Sequence, residues 1–344
     1  MNRLQYSTWA TRAARIAAAS AALTLLPPLQ AQQSGNALAG PTQGFTYDAA
    51  SRSVRQVLGS FGSASLGPAL VQDLSFGSVA PQRSYGIGCV ADQCFLVTGL
   101  GSDQAQQNPI PDQVGIPEGA TWSADGRVAV LYSRSGQWLR VLRGLPETID
   151  AGPQSNVSSL GGQLSSVAVS PDGGQIVLGM AGDQPGIFEM TAAGAFVPMH
   201  SAVNPVALAF SKNGDTLYIL DAGSHEVSEI HVSDGLAQSW PIEAVQDPIG
   251  VQVGQDSAAR AVIYVAGRGD QTLFVYDRAS HNLLEQIQLT FAPSQLEPSG
   301  TSSYLLTSRS SADEVLWSFT AGRGIFFVPV TPTEAETPQR RVRR

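Results

Sequence analysis

The stretch Ala207-Leu-Ala-Phe-Ser211-Lys-Asn-Gly214-Asp-Thr-Leu-Tyr-Ile-Leu220 decides the fold of this chain. It reads as two short strands around Ser-x-Asn-Gly, and the Asn-Gly pair tolerates the positive φ that a tight hairpin demands. The same pattern returns in Ala120-Thr-Trp-Ser123-Ala-Asp-Gly126-Arg-Val-Ala-Val-Leu-Tyr132 and in Val167-Ala-Val-Ser170-Pro-Asp-Gly173-Gly-Gln-Ile-Val-Leu178. Weaker copies fall at Ser78–Pro81, Gly250–Gly254 and Ser294–Gly300. Aligned on the turn, the register positions are 80, 123, 170, 211, 254 and 299, separated by 43, 47, 41, 43 and 45 residues.

Each period closes with two more strands, as in Thr272–Asp277 with Leu284–Leu289 and Val227–Val232 with Gln238–Ile242. Four antiparallel strands per unit of about 43 residues make one blade of a β-propeller. The fold class is therefore all-β. A further hairpin, Gly44–Asp48 with Ser53–Leu58, precedes the first register position. Residues 32–331 hold about seven such units, so seven blades are expected, one of them abbreviated and built from about 42–72; six is the alternative. Docking the abbreviated blade beside the last would close the ring and remove exposed sheet edges.

Composition agrees. Of 344 residues, 35 are Gly and 21 Pro, and only 14% are charged, against about a quarter in ordinary domains. A 43% hydrophobic share supplies a core and excludes wholesale disorder. The shortage of Glu, Lys and Arg argues against a helical bundle. The net charge of −8 argues against nucleic acid as a partner.

Arg3, Arg12 and Arg15 precede an apolar run from Ile16 to Leu26, then Pro27, Pro28 and Ala31. This is a secretory leader pattern, with cleavage expected after Ala31 and a periplasmic or extracellular destination. The run is shorter than the ~20 apolar residues that span a bilayer, so no transmembrane segment is expected in the mature chain. Losing residues 1–31 removes three arginines and no acids, taking the charge from −8 to −11. The domain reading is a leader at 1–31, a linker at 32–41, the propeller at 42–330 and a disordered Arg-rich tail at 331–344. In Cys89-Val-Ala-Asp-Gln-Cys94 a two-residue turn at Ala91-Asp92 sets the cysteines opposite each other, so a hairpin disulfide worth about 2 kcal/mol is expected.

Residues 206–227 and 263–277 resemble YVTN-type repeats, related to the NHL and SMP-30-like propellers. The resemblance covers about 73–330 and implies architecture more than function, because this fold hosts binding proteins, scaffolds and lactonases.

The four histidines, His200, His225, His231 and His281, lack zinc-pair spacing and read as surface turn residues. Arg268-Gly-Asp270 reads as ordinary turn sequence, and Asn156-Val-Ser158 matches a glycosylation acceptor that the bacterial-looking leader makes incidental. The candidate site comes from the repeat register. Seven residues before each turn position stand Asp73, Ile116, Gln163, Asn204, Asp247 and Ala292, around one mouth of the channel. Asp73, Gln163, Asn204 and Asp247 form the expected binding ring. Glu118, in Pro-Glu-Gly-Ala-Thr-Trp, resembles the entry strand of SMP-30-like enzymes. That resemblance implies the alternative function: a lactonase-like hydrolase with Glu118, Asn204 and Asp247 holding calcium or magnesium. The favoured reading is a non-catalytic, monomeric exported propeller without a cofactor. It binds a protein, an envelope component, or a small ligand at the channel mouth.

Overall fold

The computed structural model describes residues 41–60, 62–102, 105–112, 115–300 and 302–330. The expected leader, nearly all of the linker, and the Arg-rich tail lie outside them. The chain is a seven-bladed β-propeller. Blade one holds β1 (Thr42–Asp48), β2 (Ser53–Leu58) and β3 (Ser65–Val71). Blade two holds β4 (Phe76–Val79), β5 (Gly86–Val90), β6 (Gln93–Thr98) and β7 (Gln106–Pro109). Blade three holds β8 (Gly119–Trp122), β9 (Ala129–Ser133), β10 (Trp138–Arg143) and β11 (Asp150–Asn156). Blade four holds β12 (Gln163–Val169), β13 (Ile176–Ala181), β14 (Gly186–Met190) and β15 (Phe196–His200). Blade five holds β16 (Pro205–Phe210), β17 (Thr216–Asp221), β18 (Glu226–His231) and β19 (Ala237–Pro241). Blade six holds β20 (Pro248–Gln255), β21 (Ala261–Gly267), β22 (Thr272–Asp277) and β23 (Leu283–Gln288). Blade seven holds β24 (Glu297–Pro298), β25 (Ser303–Leu305), β26 (Leu316–Thr320) and β27 (Gly324–Val328).

Every described strand pairs antiparallel with its sequence neighbour inside its own blade, and the first strand of each blade lies innermost. The repeated turn explains why. Ser123, Ser170 and Ser211 each receive a backbone N–H across the hairpin on Oγ, from Val128, Gln175 and Thr216 at 2.9–3.1 Å. Each hydroxyl then donates to an aspartate at 2.6–2.7 Å, namely Asp125, Asp172 and Asp215. Gly126, Gly173 and Gly214 take φ of 77°, 74° and 78°, which only glycine adopts cheaply. One position differs from the sequence register. In blade six the turn pivots at Asp256 rather than Gly254, because β20 runs on to Gln255 and Asp256 N–H closes the hairpin onto Arg260 O at 3.0 Å.

Alternating side chains leave both faces of each blade apolar, and these faces pack blade against blade. One apolar cluster fills each interface. Thirteen buried residues lie between blades two and three, among them Ile87, Leu131 and Leu142. The closing interface, between blades seven and one, has four buried residues among the described ones, Ala64, Leu66, Leu316 and Val328, with Val57, Leu305 and Val330 packed half-buried against them. Cys89 and Cys94 are joined by a disulfide across the β5–β6 hairpin, as expected.

Polar groups reinforce the thin seam. Blade one has three strands of its own, and Val330 adds a parallel bridge to Leu66, whose N–H donates to Pro329 O at 2.7 Å. On the inner side Asp48, 2% exposed, receives Arg309 Nη1 at 2.8 Å and Arg55 Nε at 3.3 Å. Arg309 also donates to Glu314 O and Ala312 O, and Ala50 N–H reaches Arg309 O at 2.9 Å. Removing Arg309 takes from the buried Asp48 carboxylate the closer of its two guanidinium partners and leaves Arg55 at 3.3 Å. Arg309→Met is therefore expected to lower stability by roughly 3 kcal/mol in denaturant titration. A loss within experimental error would show that the seam does not depend on this contact.

Candidate functional site

Strands alternate in direction within each blade, so the starts of the innermost strands and the turns between second and third strands share one face of the ring. Asn204 and Asp247 occupy equivalent places there. Each precedes the proline that opens an innermost strand, and each carbonyl accepts an N–H at 3.0 Å, from Ala222 and Arg268. Asp73 and Gln163 also stand at the mouth, and all four side chains are exposed. The loops beneath are held firmly. Asp221, 4% exposed, receives the N–H groups of Val203 at 2.6 Å and of Asn204 and Gly223 at 2.8 Å. Burial raises the Asp221 carboxyl, but its four backbone donors together hold it below the ordinary value.

The carboxylates of the alternative reading have partners in the protein. Glu118 receives Ser133 Oγ at 3.1 Å, Arg134 N–H at 3.0 Å, and both the N–H and hydroxyl of Ser135. These bonds, the Ser135 hydroxyl foremost, hold its carboxyl below the usual glutamate value. Glu118 thus caps the β9–β10 turn. Asp247 Oδ2 accepts Arg268 Nε at 2.6 Å, and Asn204 is exposed on its loop. Among the described residues no group of three or more His, Cys, Asp or Glu could hold a metal ion.

Three residues outside the sequence-derived ring, Tyr132, Arg134 and Glu297, interact through their charges. Tyr132, at the end of β9, pairs with Gly119 of the innermost strand, and a Cβ at 119 would collide with the Tyr132 hydroxyl. Glycine lets the ring lie across that strand. Arg134, aimed by the turn that Glu118 caps, donates Nε to Ser165 O at 3.0 Å and lies 5.6 Å from the Tyr132 ring centre. Glu297 belongs to β24, the innermost strand of blade seven. Its side chain is exposed, yet burial pushes its carboxyl up, with the charge of Arg134 pulling it part-way back. Burial pushes the Tyr132 hydroxyl up, the charge of Arg134 pulls it part-way back, and the charges of Glu297 and Glu118 push it up further.

The register carries a signal for Glu297. Two residues before the turn pivots 80, 123, 170, 211 and 256 stand Ser78, Thr121, Ala168, Ala209 and Gly254, all small, whereas Glu297 stands two before Ser299. Arg134 and Tyr132 carry no such signal, because their interaction with Glu297 depends on ring closure. The structure also corrects the reading of His281 as a surface residue. Its side chain is 10% exposed, stacks on Trp240 at 3.9 Å and pairs with Glu229 at 3.1 Å, tying blade six to blade five.

No protein-family model matches the chain. A stretch of 139 residues is 27% identical to an uncharacterized WD repeat-containing protein of Synechocystis sp.; it covers 40% of this chain and 38% of that relative. The fold is similar to a streptogramin B lyase structure, with a TM-score of 0.53 and 11% identity over 77% of this chain and 87% of that one. It is also similar to Kuenenia stuttgartiensis hydrazine synthase, with a TM-score of 0.50 and 15% identity over 87% of this chain and 99% of that one. At such identities the likeness shows the fold alone: this is a β-propeller repeat protein.

The raised Glu297 carboxyl has a consequence for stability. Folded Glu297 keeps its proton to higher pH than unfolded Glu297, so stability falls as pH rises from the unfolded value through the folded one. Glu297→Gln is expected to raise the melting temperature at neutral pH, with the gain vanishing at about pH 4. A gain of equal size at both pH values would contradict this placement of the carboxylate.

Proposed function

We propose that the chain is an exported, non-catalytic propeller of the YVTN/NHL kind that binds a protein or envelope component through the channel-mouth face. The observation that carries this reading is the display of Asp73, Gln163, Asn204 and Asp247. These exposed polar side chains stand on loops whose backbones are held by hydrogen bonds, as at Asp221 and Arg268. Rigid loops lower the ordering cost of association. The negative charge of the chain favours a basic partner surface. A disulfide is compatible with export.

The test is affinity capture from the exported fraction with the wild-type chain and with an Asp73→Lys/Asp247→Lys double variant. The expected result is a partner retained by the wild type and lost by the variant, with binding weakened by salt. Equal capture by both proteins, or no partner on either, would overturn the reading.

A further inference from the structure

On the face opposite the mouth, where third strands end, blades five and six leave a cavity of about 500 Å³ between them. Its lining comes from β18 and β19 of blade five, and from the start of β21 and the turn after β22 in blade six. A chain of hydrogen bonds crosses the two blades along this lining. Arg278 Nε donates to the Tyr218 hydroxyl at 2.7 Å, and that hydroxyl donates to Glu229 Oε1 at 3.0 Å. Glu229 Oε2 meets His281 Nε2 at 3.1 Å, and the His281 ring stacks on Trp240. Tyr218 and Trp240 are buried, while the His281 and Glu229 side chains are 10% and 13% exposed. Blade five thus sets Arg278 of blade six. Its guanidinium lies 5.8 Å from the Tyr218 ring centre, and Nη2 stands 3.4 Å from Thr216 Oγ1 and 3.9 Å from Asp215 Oδ1. Arg260, on the same cavity, is set by Asp256, which receives its Nε and Nη2, each at 2.7 Å.

The acids of the lining are engaged within the protein. Glu229 takes Tyr218 and His281, and Asp277 Oδ1 takes the N–H groups of Ala279 and Ser280 with the Ser280 hydroxyl. The arginines instead bring two positive charges to one cavity. Like charges repel, and unanchored side chains would swing apart into water. Here the contacts to Tyr218, Thr216 and Asp256 hold both in place, and positioning in advance lowers the ordering cost of binding. We propose that this cavity binds a small molecule through an oxyanion group, a phosphate or a carboxylate, held between Arg278 and Arg260. The guanidinium edge matches either group. The volume lies in the range of small-molecule sites, and Gln238, Ala261 and Ala279 line the remainder. The site goes beyond the mouth-face reading: it lies on the other face and uses none of Asp73, Gln163, Asn204 and Asp247.

The experiment follows the backbone amide resonances of the intact protein while inorganic phosphate or acetate is added at constant ionic strength. At least one anion is expected to give saturable shifts at Arg260, Arg278 and His281, and the tighter of the two identifies the oxyanion. Arg260→Gln is expected to weaken that anion by about tenfold, and Arg278→Gln by about tenfold or more. Arg278→Gln also takes a partner from Tyr218, so Arg260→Gln, at an exposed side chain, serves if the former does not fold. Arg83→Gln makes the same change of charge between β4 and β5 and is expected to keep wild-type affinity. Shifts that do not saturate, shifts that lie elsewhere, wild-type affinity in Arg260→Gln, or equal weakening by all three variants would overturn the proposal. Each of those results leaves partner capture at the mouth free to succeed or fail by itself.

Discussion

A ring of blades stands or falls on its closure, and here closure rests on the contact of Asp48 with Arg309. Six interfaces are formed between blades that follow one another in sequence, so their apolar faces meet after short connections. The seventh must join residues 261 positions apart, at a larger cost in chain entropy. It has the smallest apolar cluster of the seven among the described residues. The buried ion pair, the Ala50–Arg309 backbone bond and the Val330 bridge to Leu66 supply the directional contacts that this cluster lacks.

Closure also creates the channel. Arg134 comes from blade three and Glu297 from blade seven, so the charge of one acts on the other across the ring. Many other polar side chains serve the scaffold. Ser123, Ser170 and Ser211 close hairpins, Asp221 and Glu118 hold loops, and His281 with Glu229 and Trp240 fastens two blades together.

The blades are legible in the sequence because their turns are local. Ser-x-Asp/Asn-Gly encodes its own hydrogen bonds within five residues, so Ser123, Ser170 and Ser211 announce their hairpins. The blade-six pivot, Asp256, falls two residues beyond the place that spacing predicts, because its turn lacks the serine and the glycine that mark the others. The abbreviated first blade is legible from length and from its hairpin, and the mouth residues from their spacing. The interaction of Arg134 with Glu297 is not. Which side chains face each other across a ring depends on blade number and closure, and no local pattern reports either. His281 escapes a sequence reading for a related reason: its partners lie on the neighbouring blade.

Hydrogen exchange of backbone amides under native conditions tests the closed ring most directly. Ala50 and Leu66 donate across the seam, whereas Val265 lies in the centre of blade six. If closure makes the ring one cooperative unit, the seam amides exchange with protection close to that of Val265 and respond to denaturant with the same slope. Seam amides that exchange orders of magnitude faster, with little dependence on denaturant, would contradict a ring held shut by Asp48 and Arg309.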